Sequence, residues 1–338
     1  MEKIRAIALL SGGLDSTLSA KIVMREGIEV IGIHFYTGFS VMERKRLMGY
    51  FRENVFLKTI GQLQIPLEII DISEGYLDVV LNPKYGYGAN ANPCLDCKIY
   101  MFKKAKEVLG KFDAKFIITG EVVGQRPMSQ QKHQLMIIEK ETGLKGLILR
   151  PLSQKLLPET IPEKEGWVKR ENLYDIWGRS RKVQIKLAEE FGIKEYPQPA
   201  GGCCFLTEET YGRRFFDYLK HNPKEKFTRK EAMLLAFGRH FRISEKTKAI
   251  VGRNERENRV LQEFSERKII TYPVDGKGPV MLVDDSADED ELKRACGILA
   301  RYCKKGGEKV LIKVVSKEEE KEVFAEPLEE KEIEMMRV

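Results

Sequence analysis

The 338-residue sequence has no apolar run long enough to span a membrane, and its first residues lead into a strand pattern with no signal-peptide pattern ahead of it. The expected location is therefore cytoplasmic. It has no internal repeat and no low-complexity tract, which leaves ordinary globular domains. Neither sign of charge dominates: 58 Lys and Arg against 51 Asp and Glu leave a net +7, mild for a nucleic-acid binder. The Gly-rich turn near the start lacks the Lys-Ser/Thr of the common P-loop, and its spacing fits no dinucleotide fingerprint.

What is present is a soluble composition, 42% hydrophobic and 32% charged, long enough for two or three cores. Residues 5–17, RAIALLSGGLDST, form its most informative stretch. Ile7 to Leu10 read as the end of a buried strand. Gly12 and Gly13 let the backbone turn sharply and approach a ligand. Asp15, Ser16 and Thr17 open a helix whose unpaired N–H groups and positive dipole end favour an anion. The turn thus predicts a phosphate cradle, with Ser11, Gly12, Gly13, Asp15, Ser16 and Thr17 lining it.

The first 120 residues alternate strands (Arg5–Leu10, Glu29–Phe35, Leu67–Asp71, Phe116–Thr119) with helices (Asp15–Glu26, Val41–Gln64, Ser73–Leu81, Cys97–Leu109). Alternation predicts an α/β fold, a parallel sheet covered by helices on both faces, with ligands at the carboxyl ends of its strands. Three segments converge there: Ser11–Thr17, His34–Gly38 and Gly120–Pro127. His34 and Phe35 at the second strand end are candidates for the adenine or phosphate pocket, as is Gly120, though a packed strand-end histidine is an equal reading of His34. His133 reads as a helix surface position. Further helices are expected over Ile176–Phe191 and Thr210–Leu219, with a linker at His221–Lys224. A smaller α+β domain follows, giving domains 1–221 and 222–330 and a frayed last ten residues. Its segment Asn222–Lys268 carries 13 Lys or Arg against 7 Asp or Glu, a weak pointer to RNA.

The six cysteines fall into three groups. Cys296 and Cys303, seven apart on one helical face, read as core. Cys94 and Cys97 form C-x-x-C at a helix start, where the dipole favours thiolate and suits redox exchange, sulfur transfer or metal ligation. Adjacent Cys203 and Cys204 sit in a Gly-rich loop able to bend toward them. Neighbouring side chains diverge, so one of the two is expected to complete a three-cysteine site. Three thiolates with an open position suit an iron–sulfur cluster better than a closed zinc site, and zinc held by all four is the alternative.

SGG-x-DS resembles the PP-loop of the ATP pyrophosphatase superfamily, whose members cleave ATP between the α and β phosphates. With NPCLDC, FIITGEVVGQRPMSQ, IWGRSRKVQIKLAEEFGI and PAGGCCFLTEE in that order, residues 1–220 resemble the tRNA thiouridine synthases, both 2-thiouridylases and 4-thiouridine synthetases. The resemblance implies an ATP-dependent tRNA sulfurtransferase in which a uridine carbonyl is adenylated and its oxygen replaced by sulfur. It implies Asp15, with Mg2+, at the pyrophosphate, and Cys97 with Cys204 as the sulfur-handling pair. Relatives with GGC before an apolar pair point instead to Cys203. Cys94 stands where many relatives have Asp, as in cluster-dependent thiolation enzymes, so a [4Fe-4S] cluster on Cys94, Cys97 and Cys203 is expected. Expected partners are tRNA and a sulfur donor, sulfide or a persulfide carrier, and a homodimer stays open. Segments 236–242 and 251–255 look like a small RNA-binding domain fused to some thiolation proteins, with Arg239, His240, Arg242 and Arg253 for phosphates. Phe237 and Phe241 either stack on bases or pack as core. Two rivals remain: a PP-loop amidating or lysine-adding enzyme with zinc, and a non-catalytic nucleotide- and RNA-binding redox protein.

Overall fold

A computed structural model describes residues 3–50, 55–197, 203–276, 278–303 and 309–338. The chain divides into two compact units. The first comprises Met1–Gly38, Arg52–Gly88 and Asn92–Gly201; the second comprises Phe39–Phe51, Ala89–Ala91 and Gly202–Val338.

The first unit is built on five parallel strands, β1 (Arg5–Leu9), β2 (Glu29–Tyr36), β3 (Leu67–Asp71), β4 (Phe116–Thr119) and β5 (Ile148–Leu149), in the order β3-β2-β1-β4-β5. The expected α/β class is what the structure has. β1 and β4 read AIA and FIIT because helices cover both faces of a central parallel strand, leaving no polar side. One layer packs Ala6, Ala8, Leu14, Leu18 and Ile118; the other packs Ile7, Ile33, Phe102 and Ile117. The strand order reverses between β1 and β4, where Leu9 lies opposite Thr119. That reversal opens the crevice in which such sheets bind ligands.

The helices in chain order are α1 (Leu14–Met24), α2 (Val41–Leu47), α3 (Val55–Gly61), α4 (Ser73–Leu81), α5 (Cys94–Lys111), α6 (Lys132–Thr142), α7 (Ile161–Lys164) and α8 (Lys182–Glu190). Three expectations are corrected. The helix predicted over 41–64 is two pieces, because Gly49 takes φ +70° and Tyr50 N–H bonds back to Lys45 O, a glycine-terminated helix end. α5 starts at Cys94, not Cys97, so both cysteines occupy its first turn. The helix predicted from Ile176 begins only at Lys182, because Trp177 bridges Val123 and Gly178 turns at φ +83°.

The second unit holds an antiparallel sheet of β6 (Arg239–Arg242), β7 (Lys248–Val251), β8 (Lys268–Pro273), β9 (Met281–Asp284), β10 (Val310–Val315) and β11 (Glu320–Ala325), ordered β11-β10-β8-β9-β7-β6. Helices α9 (Glu209–His221), α10 (Arg229–Leu234), α11 (Glu255–Glu263), α12 (Glu289–Tyr302) and α13 (Glu330–Met336) complete it, and α2 belongs to this unit. Cys296 and Cys303 are buried in its core as expected. The chain end does not fray. Ile333 is buried, Arg337 bridges Phe241, and Val338 N–H donates to His240 O at 3.0 Å.

Candidate functional site

The β1–α1 turn is assembled from its own small polar side chains. Ser16 Oγ donates to Gly13 O at 2.9 Å, and Thr17 Oγ1 does so at 3.1 Å. Ser11 N–H reaches Ser16 Oγ at 3.3 Å. Gly12 takes φ +76°, and a Cβ there would meet the Phe56 ring at 2.3 Å, so only glycine fits. Gly13, the N-cap, has no side chain to cap the first turn of α1, which leaves that end to an outside anion. Gly120, just past β4, lies against it: a Cβ there would be 2.4 Å from Ser16 N and 2.5 Å from Asp15 C.

Asp15 is the charged residue of this turn. Gln125 Nε2 donates to its Oδ2 at 3.0 Å, with Arg126 and Arg181 in electrostatic range. Burial nevertheless raises its pKa, the outcome for a carboxylate whose partners only partly replace water. A divalent cation at this position would restore the charged form. Sequence reading missed Gln125, Arg126 and Arg181, although they lie in the loop and the GRSR segment it picked out. The missing signal was that these distant stretches share a wall.

His34 donates from Nδ1 to Leu10 O at 2.8 Å and meets Phe56 edge-on at 4.4 Å, and burial lowers its pKa. It is a neutral, packed histidine that fixes the strand end beside the turn. Phe35, expected at the nucleotide, packs instead in the layer with Ile7, Ile33 and Ile72, because alternation along β2 points it into the core. His133 is exposed on α6, as read.

At the start of α5, Asn92 Nδ2 donates to Cys94 Sγ at 3.2 Å, and Cys97 Sγ lies 3.7 Å from Met101 Sδ. Gly88 admits Asn92 where a Cβ would clash at 2.3 Å, and Asp96 accepts the N–H groups of Lys84 and Tyr85, both at 3.0 Å. An amide donor and a helix N-terminus both favour thiolate, so Cys94 and Cys97 have the chemistry for metal ligation or sulfur transfer. Cys97 is followed by Lys98, whose Nζ lies 3.4 Å from the buried Glu121, which also accepts from Arg150 Nε at 3.1 Å.

Cys203 and Cys204 belong to the second unit. Cys203 is exposed and Cys204 half-buried, the latter bridging Ser40. Two straps hold this segment: Arg44 grips Glu208 with both guanidinium nitrogens at 2.6 and 2.8 Å, and Asn90 Nδ2 donates to Thr207 O at 2.8 Å. Phe205 packs between Phe39 and Tyr211. Among the described residues no group of three or more His, Cys, Asp or Glu is arranged to hold a metal ion. Residues 198–202 of the expected Gly-rich loop lie outside the described residues.

In the second unit, burial overturns one expected RNA contact, that of His240, and decides between the two readings of Phe237 and Phe241. Phe237 and Phe241 are core. His240 is wholly buried, donates from Nε2 to Phe237 O at 2.7 Å, and is held neutral by burial. Arg242 pairs with Asp217 at 2.6 Å and Arg253 with Glu257, while Arg239 lies 4.8 Å over the Tyr302 ring.

Residues 2–155 match the family model described as thiamine biosynthesis protein (ThiI). Residues 238–337 match the NFACT protein RNA-binding domain. The resemblance to the PP-loop tRNA thiouridine synthases stands. A probable tRNA sulfurtransferase of Thermococcus kodakarensis is 31% identical over 153 residues, 44% of this chain and 36% of the relative. The tRNA-specific 2-thiouridylase MnmA of Petrotoga mobilis is 24% identical over 238 residues, 66% of this chain and 60% of the relative. The chain thus spans about a third to three-fifths of the length of these relatives. A solved 4-thiouridine synthetase–RNA complex with bound ATP aligns at 18% identity over 56% of this chain and 51% of its own, with a TM-score of 0.33, and nothing is concluded from so distant a likeness. No helix among the described residues is long and apolar enough to cross a membrane.

Proposed function

We propose that the chain is an ATP-dependent tRNA sulfurtransferase, with residues 1–221 as the thiolation part and 222–330 as the RNA-binding part. The observation that carries this reading is the uncapped start of α1, closed in by Gly120 at the β1/β4 reversal and holding the Asp15 carboxylate. ATP phosphates lie over Gly12–Thr17, and Asp15 holds Mg2+ or orients the pyrophosphate. A uridine carbonyl oxygen attacks the α phosphorus, pyrophosphate leaves, and the base carries AMP. A sulfur nucleophile then adds at the same carbon and expels AMP, leaving C=S. The protein supplies position and charge stabilisation at the phosphates.

Cys94 and Cys97 have the thiolate chemistry for a [4Fe-4S] cluster, with Cys203 as third ligand. Such a cluster, held by these thiolates, would supply an iron with an open coordination position for sulfur. Without it, Cys97 and Cys204 would relay sulfur taken as a persulfide from a persulfide donor: its outer sulfur leaves at the sulfide level as the two cysteines join in a disulfide, which an external thiol reductant returns to thiols. The physiological donor is sulfide or a persulfide carrier protein, and the setting is cytoplasmic.

The test is anaerobic purification with iron and sulfide quantification, followed by pyrophosphate release with tRNA and ATP and thionucleoside analysis of the product. Pyrophosphate release together with a new thionucleoside supports the reading. Stoichiometric zinc, with amidated or lysine-bearing product, replaces it with the amidating alternative. No turnover with an intact cluster overturns it.

A further inference from the structure

Trp177 is 69% exposed, although tryptophan is on average highly buried. Its backbone is fixed. It bridges Val123 in the loop after β4, and Gly178 N–H donates to Val123 O at 2.8 Å. Buried Ser153 staples both sides, accepting Val123 N–H at 3.0 Å and donating to Ile176 O at 2.6 Å. The indole rests on bare backbone: a Cβ on Gly124, at φ +78°, would lie 2.8 Å from its Nε1. The next residue, Gln125, is the one that donates to Asp15.

The surroundings are cationic. Val122 to Ile138 contain no Asp or Glu, nor do Ile176 to Gln184, while these stretches carry Arg126, Arg179, Arg181 and Lys182. Arg179 and Lys182, two and five residues past Trp177 in the chain, are exposed. Exposed Asp175 and the Asp15 of the turn are the carboxylates nearest in chain or in electrostatic range, and the cations outnumber them. A rigid, open aromatic in such a cation-rich setting is how proteins hold unpaired nucleotides: the ring stacks a base and the cations meet the phosphates. A protein partner would call for apolar or acidic complement across the patch, which a phosphodiester with an exposed base supplies in one ligand.

We propose that Trp177 stacks an unpaired base of the RNA substrate, with Arg179 and Arg126 on the adjoining phosphates. This rests on the tRNA reading above and places an RNA contact in the first unit, with Trp177 and Arg179 outside both family matches. Because Gly124 and Gln125 are consecutive, a base on Trp177 is one residue along the chain from the donor that holds Asp15.

The chain has two tryptophans, and the other, Trp167, is stacked on Phe116. In Trp167→Phe, Trp177 is the sole indole emitter. Unmodified tRNA transcript, and separately a single-stranded RNA oligonucleotide, are expected to quench it saturably. Trp177→Ala is expected to weaken tRNA binding about tenfold with ATP affinity unchanged, and Trp177→Phe to retain most binding. Arg179→Gln should lower the slope of log Kd against log salt by about 1. Unquenched emission with parental tRNA affinity in Trp177→Ala overturns the proposal. So does a change in that variant's sedimentation without an RNA effect, which marks a protein contact. If pyrophosphate release fails while quenching persists, the thiolation reading falls and this surface stands.

Discussion

Lys98, the residue after Cys97, places its Nζ 3.4 Å from the carboxylate of Glu121, the residue after Gly120. One buried acid thereby joins the helix that presents the C-x-x-C to the loop that packs on the β1–α1 turn. Glu121 is 1% exposed and also accepts from Arg150, whose other arm reaches Glu139 at 2.6 Å. Glu121→Gln leaves the buried Arg150 and the half-buried Lys98 short of a charge and is expected to cost about 3 kcal/mol. Denaturant titration checks this, and a loss under about 1 kcal/mol would show that the network carries little stability.

Gly120→Ala puts a methyl group 2.4 Å from Ser16 N, against backbone rather than a yielding side chain. The turn must move to admit it, at roughly 1–3 kcal/mol. ATP affinity, measured by calorimetry, is expected to fall at least tenfold. Unchanged affinity would show that the nucleotide does not use this turn.

Asp15→Asn separates stability from function. Burial raises the folded-state pKa above the ordinary 3.8, so the folded protein gives up stability as pH rises from about 3.8 through the folded value, and the deficit persists above it. The amide removes that deficit. The variant should melt a few degrees higher at neutral pH while losing at least a hundredfold in pyrophosphate release. A lower melting point would refute the burial argument.

The cysteines should separate by reactivity. Burial pushes the Cys296 thiol up to about 11, and Cys303 is buried beside it in the same core. Native protein treated with iodoacetamide at neutral pH should label Cys94, Cys97, Cys203 and Cys204 and spare the other two, as read by peptide mapping. Asn92→Leu removes the donor to Cys94 Sγ and should slow that residue's alkylation at neutral pH.

Lys248 tests the second unit. Its pKa is lowered to about 8, chiefly by burial, although Asp217 lies 2.8 Å away. Between about 8 and 10.5 the unfolded chain holds a proton that the folded chain has released, so this group makes stability rise with pH across that window. Lys248→Met, with Arg242 still paired to Asp217, should show a flatter melting-point profile from pH 8 to 10 than its parent. Parallel profiles would contradict the assignment.

The composition and order of residues determined a good deal unaided. Continuous apolar runs at 5–10 and 116–119 predict strands covered on both faces, and β1 and β4 are such strands. SGGLDST predicts a strand, a glycine turn and a helix start from local chemistry alone, and the structure has all three. Cys296 and Cys303 were legible as core from one-face spacing. Phe237 and Phe241 were not decided, because an aromatic followed three or four residues later by another satisfies a core and a stacking surface equally. Burial assigned them to the core.

Only the tertiary structure decided what depends on residues far apart in the chain. It turned 176–181 from helix into an irregular strap by bridging Trp177 to Val123 and bending at Gly178, and it left the indole exposed. It brought Gln125 onto Asp15 across 110 residues and set Gly120 against Ser16. It assigned Cys204 to a segment strapped by Arg44 and Asn90 within the second unit. Local periodicity and turn chemistry are properties of neighbours and can be read in order. Close approach, burial and shared charge arise where separate segments meet, and no short window of sequence contains them.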